Sequence, residues 1–170
     1  MNMILMRHSD ALSRQEAEVP YDADRPLSET GRRDAARAGA VLQRNGLAPA
    51  AVVCSPFVRT QETAKVVAGT LDAEVAVAPR TELAPGSGPD ELLRSIEELD
   101  AAGDDWILAV LHQPDVGHIL GCLLCAGAAW PLDVHTSDLF ALAFDHDDAT
   151  PTPALRAYWA VARLPEGRAD

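Results

Sequence analysis

Arg7-His8-Ser9 stands where the apolar run Met1 to Met6 ends, so a nucleophile and a guanidinium meet at the mouth of an expected strand. A neutral imidazole can attack phosphorus, and an unperturbed pKa of roughly 6.5 leaves much of the ring unprotonated near neutral pH. Arginine offers a planar fork of donors that matches phosphate oxygens. The pair suits phosphoryl transfer. Successive strand residues point to opposite faces, so both side chains reach one ligand only if the chain already turns into a loop here. Asp10 and the polar residues after it allow that turn. In isolation a charged pair just past a strand is ordinary solvated surface, so the reading depends on what the fold brings beside it.

Two other segments place suitable residues after an apolar run. Ser55-Pro56 follows AAVVC, with Arg59 one turn into the next expected helix. His112 follows WILAVL, directly before Gln113-Pro114.

The elements that must position these residues alternate along the chain. MNMILM reads as a short strand, and residues 10–26, broken by Pro20 and Pro26, as a long loop of the kind that is usually functional or mobile. Ser28 or Thr30 caps a helix to about Asn45, with Gly46 as its stop. A buried strand at 50–55 and a helix from Phe57 to about Leu71 follow. Glu74 to Ala78 alternates as a strand, APGSGP at 84–89 is a loop, and Asp90 opens a helix to about Ala101. WILAVL at 106–111 is the clearest strand, followed by a helix with Pro114 in its first turn, running to about Cys125. Leu139 to Phe144 and Leu155 to Leu164 close the chain as two antiparallel edge strands. The order β-α-β-α-β-α-β-α-β-β predicts a three-layer α/β/α sandwich with a mostly parallel central sheet and an antiparallel edge.

Composition sets the bounds. With 170 residues and 48% hydrophobic content the chain reads as one domain, residues 1–170, around one good core. No apolar run approaches the ~20 residues of a membrane span, and the N-terminus lacks the flanks of a signal peptide, so a cytoplasmic protein is expected. A net charge of -12 disfavours nucleic acid and anionic membranes as partners. An anionic substrate must therefore find a local basic pocket. Cys54 lies in a strand, and Cys122 and Cys125 at helical spacing read as core packing rather than as zinc or redox ligands.

In open α/β sheets ligands gather beyond the carboxyl ends of the strands. There Arg7, His8, Arg59 and His112 converge, and helix N-termini add backbone donors for an anion. The shared location carries more weight than any one residue.

Four segments in sequence order, LMRHSDA (5–11), DRPLSETGRRDA (24–35), CSPFVRTQETA (54–64) and VLHQPDVG (110–117), resemble the histidine phosphatase superfamily. This chain has Ser9 where that family typically has glycine. The short length and the DRPL segment look most like the small bacterial phosphohistidine phosphatases of the SixA type. The resemblance implies that His8 is the nucleophile and is transiently phosphorylated. Arg7, Arg59 and His112 then hold the phosphoryl oxygens and stabilise the transition state. Apart from the resemblance, the position of Gln113 directly after His112 lets its backbone N–H serve as a further donor. Water releases inorganic phosphate. It implies no metal and no cofactor, because arginines supply the positive charge.

The resemblance also points to an acidic proton donor after the third strand, where Glu82 in RTELAPG stands. Glu82 is either that donor or a loop carboxylate at the surface, with Asp10, more naturally a loop-shaping residue, behind it. The difference has chemical meaning. An alkoxide leaving group, whose conjugate acid resembles water at roughly 15.7, needs a general acid, whereas phosphorylated imidazole can leave neutral, near a pKa of about 6.5. Arg14 and Arg25, in or beside the long loop, can reach a phosphate or its rim, although solvated surface is their default. His118 reads as a structural helix histidine, His135 and His146 carry no motif, and DHDD at 145–148 reads as a turn.

Three functions remain. The first is a phosphatase acting on phosphohistidine in a protein or small peptide, since the chain has no room for a large substrate-covering insertion. The second is a phosphomonoesterase for a small phosphorylated metabolite, and the third a phospho-ligand binding protein without turnover. A nucleophile beside two arginines argues against the third. The substrate and oligomeric state are not written in the sequence.

Overall fold

The computed structural model describes residues 2–71, 74–97, 99, 105–124, 132–144 and 153–161. Its elements are β1 (Asn2–Arg7), α1 (Glu29–Arg44), β2 (Pro49–Cys54), α2 (Val58–Ala68), β3 (Ala76–Pro79), α3 (Pro89–Glu97), β4 (Trp106–Leu111), α4 (Asp115–Leu124), β5 (Asp138–Phe144) and β6 (Pro153–Ala160). The strands form one six-stranded sheet in the order β3-β2-β4-β1-β5-β6. β3, β2, β4 and β1 run parallel, while β5 pairs antiparallel with both β1 and β6. This is the expected α/β architecture with its antiparallel edge.

The apolar runs of β1, β2 and β4 become central strands because both of their faces are covered. Along β1, Met3 and Leu5 pack with Leu92, Ile96, Val116 and Ile119 from α3 and α4. Ile4 and Met6 point the other way, against Ala35, Ala38 and Leu42 of α1 and Ala64 and Val67 of α2. Strand period two thus builds two cores from one run, one on each side of the sheet.

α1 starts at Ser28, whose hydroxyl accepts the Gly31 N–H at 2.9 Å, a cap worth about 1 kcal/mol. Two residues past its end at Arg44 stands Gly46, whose φ of +67° suits glycine. A Cβ at Gly31 would collide with the carbonyl oxygen of Asp10, so glycine lets α1 press against the chain just past His8. A short bridge between Ala11 and Leu27 closes the base of the long loop, and residues 22–24 form a 3-10 turn within it.

The differences from the sequence reading are local. α2 ends at Ala68 rather than Leu71, and β3 begins at Ala76 rather than Glu74. Pro114 follows a cis peptide bond and precedes α4 instead of standing within it. Helical spacing alone placed His118 and Cys122 among packed residues, but His118 is exposed and Cys122 half-buried, with Sγ 3.7 Å from His118 Nε2. Cys125, His146, the DHDD segment and the end of the expected last strand lie outside the described residues.

Candidate active site

Parallel register brings the three key strand ends side by side. Arg7 pairs with Leu111 and Cys54 with Val110, so the chain leaves β1, β2 and β4 at one edge of the sheet. The pairing continues one residue further, because His8 N–H donates to Leu111 O at 2.9 Å and Ser55 N–H to Val110 O at 3.2 Å. His8, Ser55 and His112 therefore sit on a backbone fixed by the sheet, all three buried. β4 stands between β1 and β2, which makes this the crevice where strand order switches.

The side chains form a continuous network. His8 Nδ1 lies 2.7 Å from Ser9 O, and a carbonyl only accepts, so Nδ1 carries the proton and Nε2 the lone pair. Arg59 Nε–H donates to that Nε2 at 3.2 Å, and Arg59 Nη2–H to His112 Nδ1 at 3.3 Å. His112 is therefore protonated on Nε2, which donates to Ser55 Oγ at 2.8 Å. Phe57 supports both partners: its ring centroid is 5.1 Å from that of His112, and the Arg59 guanidinium carbon lies 5.0 Å above it.

α2 presents Arg59 because its own hydroxyls tie the helix start to the sheet. Thr63 Oγ1 donates to Arg59 O at 2.7 Å and accepts the Ser9 N–H at 3.1 Å. Thr60 Oγ1 donates to Ser55 O at 2.8 Å. The strand that leads to His8 and the helix that carries Arg59 are thereby fixed to each other.

Burial, first of all, lowers the His8 pKa to about 4 against the supporting Ser9 carbonyl, with Arg59, Arg7 and Arg25 adding repulsion. Burial likewise lowers His112 to about 3, together with His8, Arg59 and Arg7. Both rings are neutral at neutral pH, the form that a nucleophile requires. Cys54 is excluded from such a role, since burial pushes its thiol up to about 12.

Arg7 approaches from the other side of β1. Its Nη1 donates to Val134 O at 2.6 Å, while its buried Nε–H has no partner among the described residues. A buried, unspent guanidinium donor is costly unless an anion satisfies it. Gln113 Nε2 is spent on Leu132 O at 2.8 Å, whereas no hydrogen bond within the described residues occupies its backbone N–H. Ser9 does not obstruct the site, because its hydroxyl accepts from Ser137 Oγ at 2.7 Å.

The structure does not join Glu82 to this network. Its carboxylate accepts from Ser95 Oγ and Thr81 Oγ1, each at 3.2 Å, and is exposed. Its own backbone N–H, then Ser95, Thr81 and Arg80, hold its pKa below the usual value. Asp10 instead accepts from Ser28 Oγ at the start of α1, which is loop shaping as expected. Among the described residues Arg14 donates to Pro20 O, within its own loop.

Sequence reasoning missed Asp22 and Ser137. Asp22 Oδ2 lies 3.0 Å from Arg59 Nη2, and its Oδ1 lies 3.0 Å from Arg25 Nη1. Ser137, at φ +64°, donates its N–H to Arg7 O and His8 O at 3.2 and 3.4 Å. The DADR run hinted at the first, whereas nothing in the sequence marked the second. Among the described residues no cluster of three or more histidine, cysteine or acidic side chains is placed to hold a metal ion. No helix among them is long and apolar enough to cross a membrane.

The family model of the histidine phosphatase superfamily (branch 1) matches residues 3–84, which hold Arg7, His8 and Arg59. An uncharacterized protein of Picosynechococcus sp. is 33% identical over 119 residues, 69% of either chain. This chain belongs to the histidine phosphatase superfamily. Phosphohistidine phosphatase SixA of Escherichia coli is 26% identical over 132 residues, 78% of this chain and 79% of that protein. A solved structure of the protein histidine phosphatase SixA complexed with tungstate shares the fold, with a TM-score of 0.77 and 22% identity over 93% of this chain and 96% of that one. The family is one of phosphatases, and the fold is shared with a protein histidine phosphatase.

Proposed function

We propose that the chain removes phosphoryl groups from phosphohistidine, in a protein or peptide, through a covalent intermediate on His8. The observation that carries this reading is the state of His8: buried, neutral, with Nδ1–H fixed on Ser9 O and the Nε2 lone pair facing Arg59. In the first step Nε2 forms a bond to phosphorus as the substrate's P–N bond breaks, and the leaving imidazole departs neutral with its proton on the other nitrogen. Arg59, Arg7 and His112, with the Gln113 N–H, take the phosphoryl oxygens and stabilise the charge. In the second step water attacks phosphorus, the P–Nε2 bond breaks, and inorganic phosphate leaves with His8 restored.

The proton donor decides between substrates. Glu82 is held ionised and accepts from Thr81 and from Ser95 of α3, a poor arrangement for a general acid. Phosphohistidine needs no such acid, because neutral imidazole leaves without one. Similarity to the E. coli phosphohistidine phosphatase points the same way. For an ester, Glu82 is the candidate donor.

The test is turnover of a phosphohistidine peptide beside a panel of phosphate esters, by the wild type and His8→Ala. We expect cleavage of the peptide, an acid-labile phosphoryl group on the wild type, and neither with His8→Ala. Turnover of esters alone would make the chain a phosphomonoesterase, and binding without any turnover a recognition module.

A further inference from the structure

We propose that Asp22 is a specificity-determining residue: an internal anion that occupies Arg59, must yield to an incoming phosphoryl group, and disfavours substrates with a second negative charge beside the phosphorus. The proposal rests on the reading of the cluster as a phosphoryl site. It starts from the donors of Arg59. A guanidinium has five N–H groups, and among the described residues four are engaged by the chain itself. Nε–H is on His8 Nε2, one Nη1–H on Asp22 O at 2.8 Å, and the two Nη2–H groups face Asp22 Oδ2 and His112 Nδ1. One donor is left. A phosphoryl group taken by the two-pronged contact that arginine favours needs at least two, so a group of the chain has to move.

His8 Nε2 must be released in any case, since the lone pair with which it accepts the Arg59 Nε–H is the pair that attacks. The Nε–H so freed shares its edge of the guanidinium with Nη2, not with the unengaged Nη1–H, so a two-pronged contact still needs an Nη2–H. Of the remaining partners only the Asp22 carboxylate carries charge, and only it resembles a phosphate edge in size and acceptor geometry. It also has somewhere to stay. Oδ1 is already on Arg25 Nη1, and Arg25 is anchored independently by Leu12 O at 2.6 Å and Ala11 O at 3.3 Å. Asp22 can release Arg59 and remain at the rim on Arg25. The Asp22 side chain is 53% exposed, so it stands between solvent and the buried face of Arg59.

From that place it repels a carboxylate or second phosphate on the leaving group and tolerates a neutral imidazole. Net charge alone does not explain such a filter, because the exclusion acts at one oxygen pair. The arrangement also keeps Arg59 and His8 mutually satisfied until a ligand strong enough to displace a carboxylate arrives.

The experiment titrates wild type, Asp22→Asn and Asp22→Glu with inorganic phosphate by calorimetry, and compares kcat/KM for O-phosphoserine with that for a phosphohistidine peptide. Asp22→Asn is expected to bind phosphate about tenfold more tightly and to shift the kcat/KM ratio about tenfold toward phosphoserine, while Asp22→Glu stays near the wild type. Equal or weaker phosphate binding by Asp22→Asn overturns the proposal, as it would show Asp22 orienting Arg59 rather than competing for it. So does an Asp22→Glu variant that behaves like Asp22→Asn, or the absence of phosphate binding in all three. If the wild type turns over no phosphorylated substrate while Asp22→Asn still binds phosphate more tightly, the phosphatase reading fails and the role of Asp22 stands.

Discussion

The crevice at the ends of β1, β2 and β4 and the segment around Glu82 are built on opposite plans. In the crevice, His8, Arg59, His112 and Ser55 hold one another's ring tautomers and guanidinium donors in a buried network. Around Glu82 an exposed carboxylate is satisfied by the adjacent Thr81 and by Ser95 of α3, neither of them part of the crevice network. On the proposed reading one half of the chemistry, a nucleophile and its anion clamp, is preorganised in the crevice, and the other half, the acid, is not. The difference then teaches which leaving groups such a site would expel. A phosphoryl group on nitrogen needs only the first half.

The largest effect should come from the centre of the clamp. Arg59→Gln removes the charge that touches both histidines and, on the magnitude known for single transition-state donors, should lower kcat by about a hundred- to a thousandfold on every substrate. Measured kcat values with phosphohistidine and ester substrates check this. A loss confined to esters would break the comparison, since it would place the clamp outside the common chemistry.

A smaller and more continuous effect lies in pH. His8 is lowered from 6.5 to about 4, so its ring stays neutral well below the usual histidine range, and with His8 as the proposed nucleophile the acid limb of kcat/KM should fall near pH 4 rather than 6.5. The same shift acts on stability. The unfolded ring binds a proton below about 6.5 and the folded ring only below about 4, so the unfolded state holds more protons between these values. Stability is therefore full above pH 6.5 and declines as pH falls through the window, by up to about 3 kcal/mol from His8. Thermal melts of wild type and His8→Gln across pH 4 to 7 read it, the variant showing the flatter curve. An acid limb at 6.5 would mean that a different group limits the reaction.

The crevice was legible because its residues are tied to strands, and strands show in a sequence as apolar runs with sharp ends. Once MNMILM, AAVVC and WILAVL are placed in parallel register, His8, Ser55 and His112 have nowhere else to go. Arg59 follows from one helical turn past Ser55. Asp22 left only the hint of the DADR run and Ser137 no signal, since each reaches the site from a loop, where no period reports direction. Their bonds cross 37 and 128 residues respectively. The core-packing reading of Cys122 fell short for a related reason, because helical spacing says which residues share a face but not whether that face is covered.

The smallest expected effect is the most discriminating. Glu82→Gln keeps the size and the ability to accept from Ser95 and Thr81, and removes only the ionisable group, so the fold should be unaffected. On a phosphohistidine peptide kcat should change by less than about twofold, because neutral imidazole leaves without a donor. On an ester the predicted loss is larger, about a hundredfold if Glu82 swings in to protonate the alkoxide, within the usual range for general acid catalysis. Comparing the two kcat ratios separates the cases even where absolute rates are low. A hundredfold loss on phosphohistidine itself would mean that substrate binding moves Glu82 from Ser95 into the crevice, and the two regions would then be halves of one machine rather than a finished site beside an unconnected carboxylate.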